Sequence, residues 1–147
     1  MPTNTATPSS SLVGAWIASP EDAAFLLGQV FRNIHDPQVH ALAVGPDGQV
    51  LDHRVVARGG GLSVEVSPED LLSVGKPYGR VGVVLAHNHV GVSSVPNTAE
   101  IVANQLVVTA ADAMDVPLLV LDHLIFGDDG YVSFAENGLM SGPVPIV

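Results

Sequence analysis

The chain contains no cysteine among its 147 residues. Disulfide bonds and thiolate metal sites are therefore excluded, and a metal ion would have to be held by histidine and carboxylate side chains. Basic residues are also scarce, because five lysines and arginines stand against fifteen aspartates and glutamates, for a formal net charge of −10. Nucleic-acid affinity is dominated by lysine and arginine neutralising phosphates, so direct binding to nucleic acid is not expected.

Long apolar runs are missing as well. No run reaches the roughly 18 residues that a membrane span needs, so no membrane helix is expected. The first residues lack the basic segment of a secretion signal and are rich in Thr, Ser and Pro. We therefore predict a disordered tail over residues 1–15 and a cytoplasmic protein. Residues 16–147 are enough for one domain with a buried core.

Local signals for helices and strands alternate along residues 16–147. Ser19 and Ser67 each precede a proline and stand three residues before an aspartate, which is typical of a helix start. The sequence at 45–48, Gly-Pro-Asp-Gly, is typical of a tight turn between two strands. The alternation predicts an α/β domain with a mixed sheet. The predicted helices cover about 20–34, 68–75 and 98–114, the strands cover 38–44, 49–57, 62–66, 81–86 and 117–121, and a hairpin turn covers 128–130.

The strongest chemical signal lies at residues 81–89. The apolar residues 81–86 are typical of a strand buried on both faces, and this strand leads directly into His87 and His89. Because side chains alternate along an extended backbone, both imidazoles project to the same side, where they can reach one ion. Neutral imidazole is a common zinc ligand. For this pair alone, loop histidines satisfied by hydrogen bonds are an equally good interpretation.

Three segments together resemble the RadC family of JAB/MPN (JAMM-type) domains. They are Leu85-Ala-His-Asn-His89 followed by an N-capped helix, Leu121-Asp-His-Leu-Ile125, and Ser133-Phe-Ala-Glu-Asn-Gly138. Upstream, Arg58-Gly59 and Val66-Ser-Pro-Glu69 keep the spacing of that family to the first histidine. The resemblance covers roughly residues 38–140. It implies a single cytidine-deaminase-like α/β domain in which helices flank a mixed central sheet.

The resemblance also implies a set of site residues. In JAMM-type metallopeptidases, the two histidines of His-x-His and an aspartate in the next helix hold zinc, and a serine three residues before that aspartate positions the reacting oxygen. Here His87 and His89 are retained, Glu100 stands at the aspartate position and Asn97 at the serine position. Glu100 has an extra methylene, so ligation requires the helix to shift. Alternatively, Asn97 and Glu100 only form a capping pair at the start of the helix.

The general base is the largest departure from the family pattern. The family uses a glutamate from an earlier strand, and the aligned position here is Pro37, which cannot take a proton. The neighbouring Asp36 or His35 can serve if the strand entry is offset by one residue; alternatively, both residues only end the first helix. Asp122 and His123 are likewise either outer partners of the metal ligands or a structural hydrogen bond between turns.

Two functions therefore follow from the resemblance. The first is a zinc metallohydrolase that cleaves peptide or isopeptide bonds, with His87, His89 and Glu100 as metal ligands and with Asp36 and Asn97 as catalytic groups. The second is a catalytically inactive RadC-like module that acts through protein partners in DNA repair or in a mobile element. Because the histidine pair is intact and the glutamate is missing, we expect a zinc-binding protein with weak or absent peptidase activity.

Overall fold

The computed structural model describes residues 12–59 and 66–140, which form one five-stranded sheet with helices packed against it. The predicted α/β class with a mixed sheet is confirmed. Most of the strand predicted at 62–66 lies outside the described residues. The elements in chain order are α1 (Pro20–Phe31), β1 (Gln38–Val44), β2 (Val50–Arg58), α2 (Pro68–Leu72), a 3-10 turn (Lys76–Tyr78), β3 (Gly82–Asn88), α3 (Thr98–Asp112), β4 (Leu119–Gly127) and β5 (Gly130–Ser133).

The sheet places β3 at its centre, in the order β2-β1-β3-β4-β5. β1 is antiparallel to both β2 and β3, while β3 and β4 are parallel and are connected through α3. β4 and β5 form an antiparallel hairpin. Every residue of β3 from Gly82 to His87 is buried, as its continuous apolar sequence predicts. The central strand thus carries the two histidines to its carboxyl end.

Two apolar clusters cover the two faces of the sheet. Val83 and Leu85 belong to the cluster beneath α2 and α3, whereas Val84 and Ala86 belong to the cluster beneath α1. This alternation continues into the site, because side chains two apart along a strand share a face. His87 therefore lies on the face that α3 covers.

All three α-helices begin at a capped residue. The side chains of Ser19, Ser67 and Asn97 each accept a hydrogen bond from the backbone N–H three residues later. α1 ends at Phe31, three residues before the predicted end, since the chain tightens there into a turn in which Ile34 N–H donates to the Phe31 carbonyl. The start signals are local, and they predicted the helices well.

β4 is longer than its predicted range of 117–121. It continues through Asp122 and His123 to Gly127, because His123 and the residues after it pair with β3. Asp122 and His123 are polar but buried, so the apolar pattern that predicted the strand stopped too early.

The contacts with the sheet begin before residue 16. Leu12 is buried in the cluster beneath α1, and Gly14 N–H donates to the Val50 carbonyl at 2.8 Å. Residues 1–11 of the predicted tail lie outside the described residues. In the described ranges, no helix has the length and apolar character needed to cross a membrane.

Candidate metal centre

The two histidines are held by the strands on either side of β3. His87 pairs with Val39 of β1 and with Ile125 of β4. His89 lies just beyond the strand, where its backbone N–H donates to the Phe126 carbonyl at 2.8 Å. The site is therefore built on the rigid centre of the sheet.

The structure brings the three predicted metal ligands together. The Nε2 atoms of His87 and His89 each lie 2.7 Å from Oε2 of Glu100. One possible ligand atom from each of the three residues lies within 4.8 Å of the others. His87 is 3% exposed and Glu100 is 6% exposed, so the cluster is largely shielded from solvent.

Glu100 combines the two roles that the sequence left open. Its Oε1 accepts a hydrogen bond from Asn97 N–H at 2.9 Å, while the Asn97 side chain accepts one from Glu100 N–H at 2.8 Å. This reciprocal pair is a capping box, which satisfies two backbone donors at the start of α3. The other oxygen, Oε2, faces both imidazoles. The cap therefore holds the carboxylate in the position where it meets the histidines.

The tautomer of His87 is set by a buried chain of hydrogen bonds. His87 Nδ1 lies 2.8 Å from Nε2 of His123, and His123 Nδ1 lies 3.0 Å from Oδ1 of Asn104. An amide oxygen only accepts, so His123 carries its proton on Nδ1 and accepts at Nε2. Burial lowers the pKa of His123 well below its usual value, which keeps the ring neutral. His87 must then donate from Nδ1, and in the neutral ring Nε2 presents a lone pair to Glu100.

A backbone carbonyl sets the tautomer of His89 in the same way. His89 Nδ1 lies 2.7 Å from the Ser93 carbonyl oxygen, which is an acceptor only. The proton of the neutral ring therefore sits on Nδ1, and Nε2 presents its lone pair to Glu100. Metal-binding histidines in proteins are oriented by such outer hydrogen bonds.

The convergence of these atoms fits a metal ion. With their protons on Nδ1, neither imidazole can donate a hydrogen bond to Oε2 of Glu100, whereas Oε1 accepts one from Asn97 N–H. Two imidazole lone pairs and an ionised carboxylate oxygen repel one another unless a cation lies between them. Two neutral imidazoles with one carboxylate form a donor set that binds divalent transition metals.

Pro37, the position aligned with the general base of the family, is the exposed residue immediately before β1. It stands two residues before Val39, which pairs with His87. Its side chain has no titratable group. The residue aligned with the family's base therefore carries no carboxylate in this chain.

Asp36 is directed elsewhere in the structure. Its Oδ1 accepts a hydrogen bond from Gln38 Nε2 at 3.1 Å, and the Gln38 oxygen lies 2.8 Å from Nε2 of the buried His40. The Asp36 carbonyl accepts from Asn88 Nδ2 at 3.0 Å. Asp36 therefore belongs to a polar chain on the α1 face. Its role as general base stays a prediction.

The remaining candidates are divided between the site and the framework. Asn97 is an exposed cap, and its catalytic role also stays a prediction. Asp122 accepts hydrogen bonds from Ser133 Oγ at 2.6 Å and from the backbone N–H of Ala135 at 3.0 Å, so it ties β4 to the segment around β5. His123, in contrast, contacts a predicted metal ligand directly.

Sequence reasoning missed Asn104 and Ser93 as outer partners of the histidines. Asn104 follows Glu100 by four residues, so the two share one face of α3, and this spacing is the signal that identifies it. The role of Ser93 has no comparable signal, because a backbone carbonyl in a loop carries no sequence information.

Comparison with known proteins identifies the family. A family model described as a RadC-like JAB domain matches residues 17–139. The chain belongs to the RadC-like JAB family. The expected resemblance to RadC proteins is thereby confirmed, and the His-x-His segment of this RadC-like JAB domain lies at the carboxyl end of its central strand.

Several relatives of this RadC-like JAB domain are named UPF0758 proteins. One from Aliivibrio salmonicida is 29% identical over 122 residues, which cover 83% of this chain and 54% of that protein. One from Symbiobacterium thermophilum is 30% identical over 126 residues, covering 86% of this chain and 53% of that protein. The UPF0758 protein YfjY of Escherichia coli is 32% identical over 99 residues, or 67% of this chain and 61% of that protein. The chain spans about half the length of the curated relatives it matches.

Proposed function

We propose that this RadC-like JAB domain binds zinc and hydrolyses peptide or isopeptide bonds weakly. The observation that carries the proposal is the convergence of the His87 and His89 lone pairs on Oε2 of Glu100, each at 2.7 Å. Zinc suits two imidazoles and one carboxylate, whereas magnesium prefers oxygen ligands. The burial of the cluster supports a bound ion, since a buried carboxylate is stabilised by a cation.

Each residue of the site has a defined part in the proposed chemistry. When bound, zinc lowers the pKa of a water molecule toward neutrality and polarises a carbonyl group. His87 and His89 supply neutral nitrogen ligands, because His123 and the Ser93 carbonyl hold the protons on the outer nitrogens. Glu100 supplies the anionic ligand, and Asn97 at the rim of the site orients the reacting oxygen.

The weak activity follows from the missing base. A positioned general base contributes about 10²- to 10⁴-fold to a rate, and Pro37 cannot supply one. For Asp36 to act in its place, its carboxylate must first leave Gln38.

The lack of a base at Pro37 and the hydrogen bond between Asp36 and Gln38 also favour a second function. A domain with a metal ion and no base is suited to binding a peptide or a protein partner without cleaving it. In this alternative the chain is an inactive RadC-like module, and any connection to DNA repair or to a mobile element runs through protein partners, since the net charge of −10 disfavours direct contact with nucleic acid.

Metal content tests the proposal. Protein purified without chelator under zinc-replete conditions should contain about one zinc per chain by elemental analysis, since three ligands define one site. His87→Ala should lose the zinc. His35→Ala is the matched control, because His35 is exposed and makes no hydrogen bond among the described residues. A metal-free wild-type protein would contradict the proposal.

Hydrolysis separates the two functions. The zinc-loaded protein should cleave peptide or isopeptide substrates slowly, and His87→Ala should abolish the cleavage. Zinc binding with no cleavage of any such substrate would favour the inactive module.

A further inference from the structure

The carbonyl that orients His89 belongs to a loop with no helix or strand of its own. This loop covers residues 89–97, between β3 and α3. Its Ser93 carbonyl lies 2.7 Å from His89 Nδ1. Within the loop, Val95 N–H donates to Ser93 Oγ at 3.3 Å, and further contacts reach the loop from outside.

The turn between β4 and β5 holds the loop through a single carboxylate. Oδ2 of Asp129 accepts a hydrogen bond from Ser93 Oγ at 2.8 Å, and Oδ1 accepts one from Ser94 N–H at 2.9 Å. Asp129 thus accepts hydrogen bonds from the Ser93 side chain and from the N–H of the peptide group that contains the Ser93 carbonyl. The two donors lower the pKa of Asp129 to about 2, so the carboxylate stays ionised at neutral pH.

The end of β4 also fits the loop closely. A Cβ atom at Gly127 would overlap the amide nitrogen of Ser94 and would lie 2.7 Å from the Val92 carbonyl oxygen. Asp128 N–H donates to the same Val92 carbonyl at 2.9 Å. Glycine at 127 therefore lets the end of β4 approach the backbone of the loop closely, and Asp129 holds the loop in this position.

We propose that Asp129 is a positioning residue for His89. By holding Ser93 and Ser94, it keeps the Ser93 carbonyl on His89 Nδ1 and so keeps the Nε2 lone pair directed toward Glu100. The inference deepens the proposed metal centre and rests on it for its effect on zinc. Asp129 itself contacts none of the three ligands among the described residues, so it acts only through the loop.

The neighbouring Asp128 provides a matched control. It carries the same charge in the same turn and is also exposed. Only its backbone contacts the loop, and its carboxylate makes no hydrogen bond in the described part of the chain. Removing either aspartate changes the net charge equally, so any difference between the two variants reports the contacts of Asp129.

Zinc titration against a competing chelator measures the effect. Starting from metal-free full-length chain, Asp129→Ala should weaken zinc binding by up to about 10- to 100-fold, the range for complete loss of the outer partner of a metal ligand, which here is the Ser93 carbonyl. Asp128→Ala should bind zinc as the wild type does. Asp129→Asn should recover most of the affinity, because an amide can accept from Ser94 N–H and donate to Ser93 Oγ.

Imidazole ¹⁵N shifts give a second measurement that needs no metal. In the wild-type protein His89 should carry its proton on Nδ1, and Asp129→Ala should shift it partly to Nε2. His87 should be unchanged, since His123 sets its tautomer. If Asp129→Ala fails to fold, Ser93→Ala removes one of the two hydrogen bonds and should cause a smaller loss of affinity in the same direction.

The results distinguish this inference from the metal proposal. Equal zinc affinity in Asp129→Ala and Asp128→Ala, with an unchanged His89 tautomer, would overturn the role of Asp129. A wild-type chain that binds no zinc would instead contradict the proposed function, and the tautomer measurement would still decide whether Asp129 orients His89.

Discussion

At the scale of single residues, Glu100 shows how one carboxylate can both cap a helix and face a pair of histidines. The capping box uses Oε1, and the histidines meet Oε2. The sequence presented these roles as alternatives, because a capping pair and a ligand position have the same spacing. In the structure the longer side chain of glutamate, compared with aspartate, allows both contacts at once.

Glu100→Gln separates the two roles. The amide oxygen can still accept from Asn97 N–H, and the amide nitrogen can donate to an imidazole lone pair, so the metal-free variant should be at least as stable as the wild type in urea unfolding. Zinc affinity should fall sharply, since the anionic ligand is lost. An unchanged zinc affinity in the chelator titration would mean that Glu100 serves only as a cap.

At the scale of elements, local signals were sufficient where the contacts are local. The caps Ser19, Ser67 and Asn97 and the bounds of β1 follow from neighbouring residues in the chain. The length of β4 does not follow from its neighbouring residues, because its polar residues have partners in other segments. His123 contacts Asn104 of α3, and Asp122 contacts Ser133 of β5. The positions of the histidines were predictable, whereas the hydrogen bonds that set their tautomers required the fold.

α3 shows the same limit in its two faces. The sequence divides the helix into polar positions that include Glu100 and Asn104 and apolar positions that include Val102 and Leu106. In the structure the polar pair is buried, with Asn104 at 0% exposure, while Val102 and Leu106 are 48% and 59% exposed. Buried partners orient this part of the helix, because Glu100 contacts His87 and Asn104 contacts His123.

Two neighbouring positions test which face of α3 packs on the sheet. Val107→Ala should lower the free energy of unfolding by about 2 kcal/mol, because Val107 is buried in the cluster beneath α3. Leu106→Ala removes more carbon but should change it by no more than about 0.5 kcal/mol, since Leu106 is exposed. Urea unfolding of the two variants measures the difference, and a larger loss for Leu106→Ala would contradict the orientation.

At the scale of the whole molecule, the central sheet assembles a site from distant parts of the chain. β3 supplies the histidines, α3 supplies the glutamate, and β1 passes beside them. In the proposed hydrolase, the missing part is a general base at the entry to β1, where Pro37 stands. Its carbonyl accepts a hydrogen bond from Gly59 N–H at 2.6 Å, a contact that any residue can make. Proline supplies no N–H, so replacing it removes no backbone donor.

Pro37→Glu should therefore restore the base without disturbing the fold. In the zinc-loaded protein it should raise the rate of peptide or isopeptide cleavage by up to about 10²- to 10⁴-fold. Pro37→Gln is the matched control, because it has nearly the same shape and cannot take the proton, and both variants should bind zinc equally. Equal rates for the two variants would show that the base does not act from this position. Rapid cleavage by the wild-type chain, abolished by Asp36→Asn, would place the base one residue earlier and would mean that the Asp36 carboxylate leaves Gln38 during catalysis.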